Sequence, residues 1–232
     1  MMNIFIKVAL FFIVTQNVFA TDRTNSIYLL TSFGKSNFSD MTTQSDINAA
    51  KANIVSNLNS QFLLQNPESA LPGYSAELNA DDKGISISFG VGYVFHEYLS
   101  IEASYQYFGS VKVSGQIKDE DNNTLGYSKT GVIGGFDLRT FLHTPSFKGF
   151  NGFINWGAIL WSRESKIQYV FAENERTERF KDNGFEVVYG GGVQYLSQTG
   201  FGATLTWEQY NIKQENLGII KATILYNFKI PI

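Results

Sequence analysis

The chain has 232 residues, a net charge of −3 and no cysteine; 15% of it is aromatic, with 21 glycines against 4 prolines. Missing cysteines exclude disulfides, thiolate zinc sites and cysteine nucleophiles, and so small a charge leaves no broad basic field for nucleic acid. Aromatic and β-branched residues with abundant glycine suit strands and tight turns better than helices.

Residues 1–20 read as a removable secretory signal. Lys7 supplies the positive charge, Val8 to Val14 is an unbroken apolar run, and Val18-Phe19-Ala20 places small residues at a cleavage site between Ala20 and Thr21. The apolar run is far shorter than the roughly 20 residues a spanning helix needs. Residues 21–232 are the predicted mature domain.

Along that domain apolar residues recur with period two. The first strand is expected from Ser26 to Lys35. After a long connection at 37–83, Ile85, Ile87, Phe89, Val91, Tyr93 and Phe95 share one face, opposite Ser86, Ser88, Gly90, Gly92 and Val94. A turn at His96 to Tyr98 leads to Leu99, Ile101, Ala103, Tyr105 and Tyr107, opposite Ser100, Glu102, Ser104 and Gln106. A connection at 115–126 precedes a strand from Tyr127 to Phe141, with Val132, Phe136 and Leu138 outward and Asp137 and Arg139 inward. A turn at His143 to Lys148, a strand from Gly152 to Ser165, a connection at 166–183 and a strand from Gly184 to Leu196 follow. Beyond Ser197 to Gly200, Phe201, Ala203, Leu205 and Trp207 alternate with polar residues. A short connection near Gln214 to Asn216 then leads to Ile220, Ala222, Ile224, Tyr226 and Phe228.

This predicts an all-β, antiparallel up-and-down barrel of about eight strands with one long first extracellular loop. A soluble sandwich would alternate too. The membrane reading rests on strands about ten residues long, on aromatics near the ends of the apolar faces, and on alternating short and long connections, periplasmic and extracellular respectively.

The predicted inward face carries Glu102, Asp137, Arg139, Glu186, Glu208 and Lys221. An eight-stranded interior is only wide enough for side chains to fill, and charges inside need partners. These six are therefore expected to form a polar network that plugs the lumen. The alternative is a gate for small solutes, with four acids against two bases favouring cations. Gly and Ser on the second and third strands suit a pore; inward Val188, Leu225 and Arg139 suit a plug.

In the long connection, Ser45-Asp46 is suited to start a helix bearing Ile47, Ala50, Ile54 and Leu58 on one face. Such a piece either covers the mouth, touches lipopolysaccharide, presents a surface to a partner, or is a tolerated insertion. Asp81-Asp82 and Asp119-Glu120-Asp121 match no calcium loop, and Glu173 to Asp182 reads as a solvated hairpin tip. The only histidines, His96 and His143, fall in predicted periplasmic turns, and no Gly-x-Ser-x-Gly stretch exists, so no enzyme, metal or cofactor is expected.

At Gly92-Tyr93-Val94-Phe95, Leu99-Ser100-Ile101-Glu102-Ala103-Ser104-Tyr105 and Phe108-Gly109 the chain resembles the OmpA-like transmembrane domain family. Asp81-Asp82-x-Gly84, Trp161, Tyr189 to Gly192, Trp207 to Tyr210 and the closing Tyr226-Asn227-Phe228 fit as well. The resemblance implies residence in the bacterial outer membrane, a role in envelope integrity and loop presentation, and recognition of Tyr226 and Phe228 by the barrel assembly machinery. It implies contact with outer-membrane lipid and lipopolysaccharide and a monomer, while in a departure from many relatives no peptidoglycan-binding domain is expected after the barrel. Lys229 to Ile232 extend beyond the usual closing aromatic.

Overall fold

The computed structural model describes residues 24–38, 51–52, 54–56, 75–81, 83–118, 124–171, 174–212 and 215–229. The signal segment, the helix start at Ser45-Asp46 and the acidic stretch at 119–121 lie outside the described residues.

Among the described residues nine strands are present: β1 (Ser26–Asn37), β2 (Ser75–Asp81), β3 (Lys83–His96), β4 (Leu99–Lys118), β5 (Thr124–His143), β6 (Phe150–Phe171), β7 (Asn174–Leu196), β8 (Phe201–Ile212) and β9 (Glu215–Lys229). They pair antiparallel in the order β2-β4-β3-β1-β9-β8-β7-β6-β5, and β4 also pairs with β5, which closes eight of them into a ring. Closure leaves no strand edge in hydrocarbon, where an unpaired amide would be costly. Leu29, Phe136, Leu160 and Ile224 point outward, and Phe136 is 68% exposed, as a lipid-facing side chain must be.

The ninth strand is β2, which is not anticipated by the alternation. It lies beyond the outer end of β3, against Lys112 to Lys118 of β4. Two expected connections are corrected in the same region. Most of 115–126 and 166–183 is strand, because β4 runs to Lys118, β5 starts at Thr124, β6 runs to Phe171 and β7 starts at Asn174. β7 meets β8 only from Val188 to Leu196, so its remainder pairs with β6 alone. The outer parts of β2, β4, β5, β6 and β7 thus form a five-stranded wall above one side of the barrel.

Two physical causes hid this wall. The register between β4 and β5 shifts at Tyr107/Gly109, and Gly109 adopts a φ of 97°, a left-handed conformation that favours glycine. This bulge turns the inward face from even positions, Gln106 and Phe108, to odd ones, Val111 and Val113. Above it, charged residues occupy the outward face. Apolar residues occupy the inward face, where Leu78, Ile117 and Tyr127 are buried together with partly buried Val113, Leu125, Ile167 and Tyr169. Ile54, in the short helical stretch at 54–56, packs on the same cluster. Burial, and secondarily the Tyr169 ring, pushes the Tyr127 phenol up to about 12.

Candidate functional site: the barrel interior

The interior is arranged in layers. Near the periplasmic end Tyr28, Leu30, Val94, Leu196 and Leu225 pack together. Toward the extracellular end Phe38, Phe108, Ile133, Ile159, Trp161, Val188 and Ile219 form a second apolar cluster. The charged residues sit between.

Arg139, 1% exposed, is the hub. Its Nη2 donates to Glu102 Oε1 at 2.7 Å, its Nε lies 3.2 Å from Asp137 Oδ2, and its Nη1 pairs with Glu208. The planar guanidinium presents several donors in fixed directions, which lets one cation hold three carboxylates where an ammonium would serve fewer. Lys221 Nζ binds the other oxygen of Glu208 at 2.9 Å. The Tyr210 hydroxyl donates to Asp137 Oδ2 at 2.9 Å and lies equally close to Glu208 Oε2. Tyr28 reaches Glu102 Oε2 at 3.4 Å. Neighbouring polar pairs, Ser32 with Thr223 at 2.8 Å and Gln106 with Ser86 at 2.7 Å, extend the layer.

Five of the six residues expected in the lumen therefore meet: Glu102, Asp137, Arg139, Glu208 and Lys221. Glu186 is inward-facing and half-buried, but its position, opposite Ile159 and two residues beyond Val188, sets it above the apolar cluster. The cluster around Arg139 accordingly holds three carboxylates against two cations.

Sequence reasoning passed over the two tyrosines and the role of the glycines. Arg139 lies opposite Gly157, Glu208 opposite Gly190, Lys221 opposite Gly34 and Glu102 opposite Gly92. A Cβ at Gly157 would come within 2.8 Å of Arg139 Cγ, and one at Gly34 within 2.7 Å of Lys221 Cβ. These glycines make room for large charged side chains. A glycine directly across from four of the five clustered charges, Asp137 being the exception, is the signal that locates the cluster.

Between the network and the periplasmic cluster lies a cavity of about 30 Å³, bordered by Leu30, Glu102, Arg139, Phe153, Lys221 and Leu225. That is room for one or two waters. His143 closes β5, correcting its expected place in a turn; it points inward and lies 2.9 Å from Ser100 Oγ through Nε2. The turn proper begins at Thr144. His96 ends β3 and is exposed. No group of acidic residues and histidines with metal-binding geometry occurs among the described residues.

An eight-stranded antiparallel ring with an apolar exterior and a charged interior defines an outer-membrane β-barrel. The chain belongs to the OmpA-like transmembrane domain family, whose model matches residues 22–211, and its location is the bacterial outer membrane. The N-terminal β-barrel domain of Pseudomonas aeruginosa OprF is similar at 13% identity, covering 90% of this chain and 100% of that one with a TM-score of 0.41. Ail, the attachment invasion locus protein of Yersinia pestis, solved with the heparin analogue sucrose octasulfate, is similar at 10% identity, with coverages of 88% and 100% and a TM-score of 0.45. Neisserial surface protein A is similar at 9% identity, with coverages of 87% and 97% and a TM-score of 0.42. No curated protein matches the sequence.

Proposed function

We propose that this protein is a closed, non-enzymatic barrel that supports envelope integrity and carries a rigid sheet above the outer leaflet for surface contact. The observation that carries the reading is Arg139, held by three carboxylates between two apolar clusters, with a cavity of about 30 Å³ beside it. Buried ions with several partners resist displacement, because separating them leaves an uncompensated charge. The wall supports the second half of the reading, since its apolar inner face gives the exposed part of the chain a core of its own.

The same reading takes residues 1–20 as a cleaved signal, Tyr226 and Phe228 as the assembly signal, the protein as a monomer, and segment 37–83 as a contributor to partner contact. Single-channel recording of the mature protein in a planar bilayer tests it, with folding checked by a heat-dependent gel shift. A folded, silent protein is expected, and regular conductance steps would overturn the closed form. A second reading, a cation-preferring gate, is favoured by the three carboxylates against two cations. It requires steps whose ion preference changes in Arg139→Glu.

A further inference from the structure

Outward side chains of the wall place cations in one line. Lys112 of β4 pairs with Thr130 of β5, Thr130 with Lys166 of β6, and Lys166 with Arg179 of β7. One step nearer the membrane, Lys181 pairs with Glu164. Adjacent strands are about 4.8 Å apart, so these four cations cover a surface three strand spacings wide. None of Lys112, Lys166, Arg179 and Lys181 makes an ion pair among the described residues. Among the described residues, Glu164 and Asp81 do not neutralise them: Glu164 makes no ion pair there, and Asp81, opposite Lys112, accepts the backbone N–H of Lys83.

Lys166 and Arg179 lie directly opposite each other, and like charges in that relation destabilise a sheet. The wall could have avoided this by placing a neutral residue at either position, as Thr130 is placed on the other side of Lys166. An external anion seated between them reverses the sign of the interaction.

The position of the line points to the anion. On β5 the outward apolar run through Leu142, Leu138, Phe136 and Val132 ends, and the next outward residue is Thr130, a member of the line. On β6 and β7 the exposed apolar side chains below the line are Leu160 and Phe185, which pair with each other, and Ser162, Glu164 and Asn183 separate them from Lys166 and Arg179. The cations therefore stand above hydrocarbon on the extracellular side, where the phosphates of the outer leaflet lie. We propose that Lys112, Lys166, Arg179 and Lys181 form a binding surface for the phosphate groups of lipopolysaccharide. Arg179 and Lys166 clasp one phosphate between them through charge-assisted hydrogen bonds, and Lys112 and Lys181 flank it. This deepens the lipid contact included in the family reading and holds whether or not the lumen conducts.

The test uses the mature chain, folded in neutral detergent and titrated with lipid A carrying both phosphates or with lipid A stripped of both. The wild type should bind the phosphorylated form at least about tenfold more tightly, as expected when one charge-assisted contact is gained, and salt should weaken the preference. Lys166→Gln with Arg179→Gln should reduce that preference to within about threefold, while Lys148→Gln, in a periplasmic turn, should keep it. If the double variant fails the heat-shift test of folding, each single variant carries the comparison. The proposal is overturned by a wild type indifferent to the phosphates, or by folded variants that keep the full preference. It is overturned equally if a soluble sulfated polysaccharide displaces the lipid at lower concentration through the same residues.

Discussion

The lower and upper halves of strands β5 to β7 share one pleat and have opposite insides. In the membrane, β5 turns Leu142, Leu138 and Phe136 outward and Arg139 and Asp137 inward; above it, the same strand turns Ser128 and Thr130 outward and Tyr127 and Leu125 inward. β6 changes in the same way, from outward Ile154, Trp156 and Leu160 to outward Glu164 and Lys166, while Ile167 and Tyr169 turn inward. Backbone pairing is continuous across the change. The solvent on each side decides which phase of the alternation is apolar, and the pleat carries the phase through without interruption.

This comparison can be broken at several points. The largest effect is expected at the hub of the lower half. Glu208→Ala removes a carboxylate shared by Arg139 and Lys221, and should cost about 3–5 kcal/mol in urea unfolding from lipid vesicles. A loss near zero would mean that water already screens the cluster. Phe136→Arg, which places a cation against lipid, should cost about 2–4 kcal/mol. Thr130→Arg, on the same face of the same strand but above the membrane, should change stability by less than about 0.5 kcal/mol. Equal effects at the two positions would remove the boundary between the halves.

The wall's inner face gives a smaller, local effect. Ile117→Ala should cost roughly 2–4 kcal/mol of packing, read as faster hydrogen exchange at wall amides while barrel amides keep their protection. Uniform acceleration would show that the two halves unfold together. Smallest is the change at Tyr127, whose phenol burial pushes up to about 12. Since its folded value lies above the ordinary one, its contribution is complete below about pH 10 and is lost as pH rises through about 12. Tyr127→Phe should remove one late-titrating phenol from the ultraviolet absorbance curve. An unchanged curve at high pH would mean that the face is wet.

The lower half was legible in the sequence because both of its signals agree. Period-two alternation located all eight ring strands, and inward parity located Glu102, Asp137, Arg139, Glu208 and Lys221. The upper half was not, for reasons that particular residues supply. At Phe108-Gly109 a bulge shifts parity. Beyond it, Lys112, Lys166, Arg179 and Lys181 make the outward face read as loop, while the apolar residues that mark a core lie on the opposite phase. Tyr210 escaped notice because its ring belongs to an apolar cluster and only its hydroxyl to the charged one. β2 escaped because Ala76, Leu78 and Ala80 form too short a run to be told from loop.

Site-directed spin labelling along β6 tests the inversion most directly, and the chain's lack of cysteine makes it clean. Cysteines replacing Ile154, Trp156, Leu160, Glu164, Lys166 and Ile167 one at a time would carry the label in lipid vesicles. Labels at 154, 156 and 160 should collide with oxygen dissolved in the bilayer. Those at 164 and 166 should collide with a water-soluble relaxant, and the label at 167 should be shielded from both. A label at 166 that is accessible from lipid, or one at 160 accessible from water, would contradict the account.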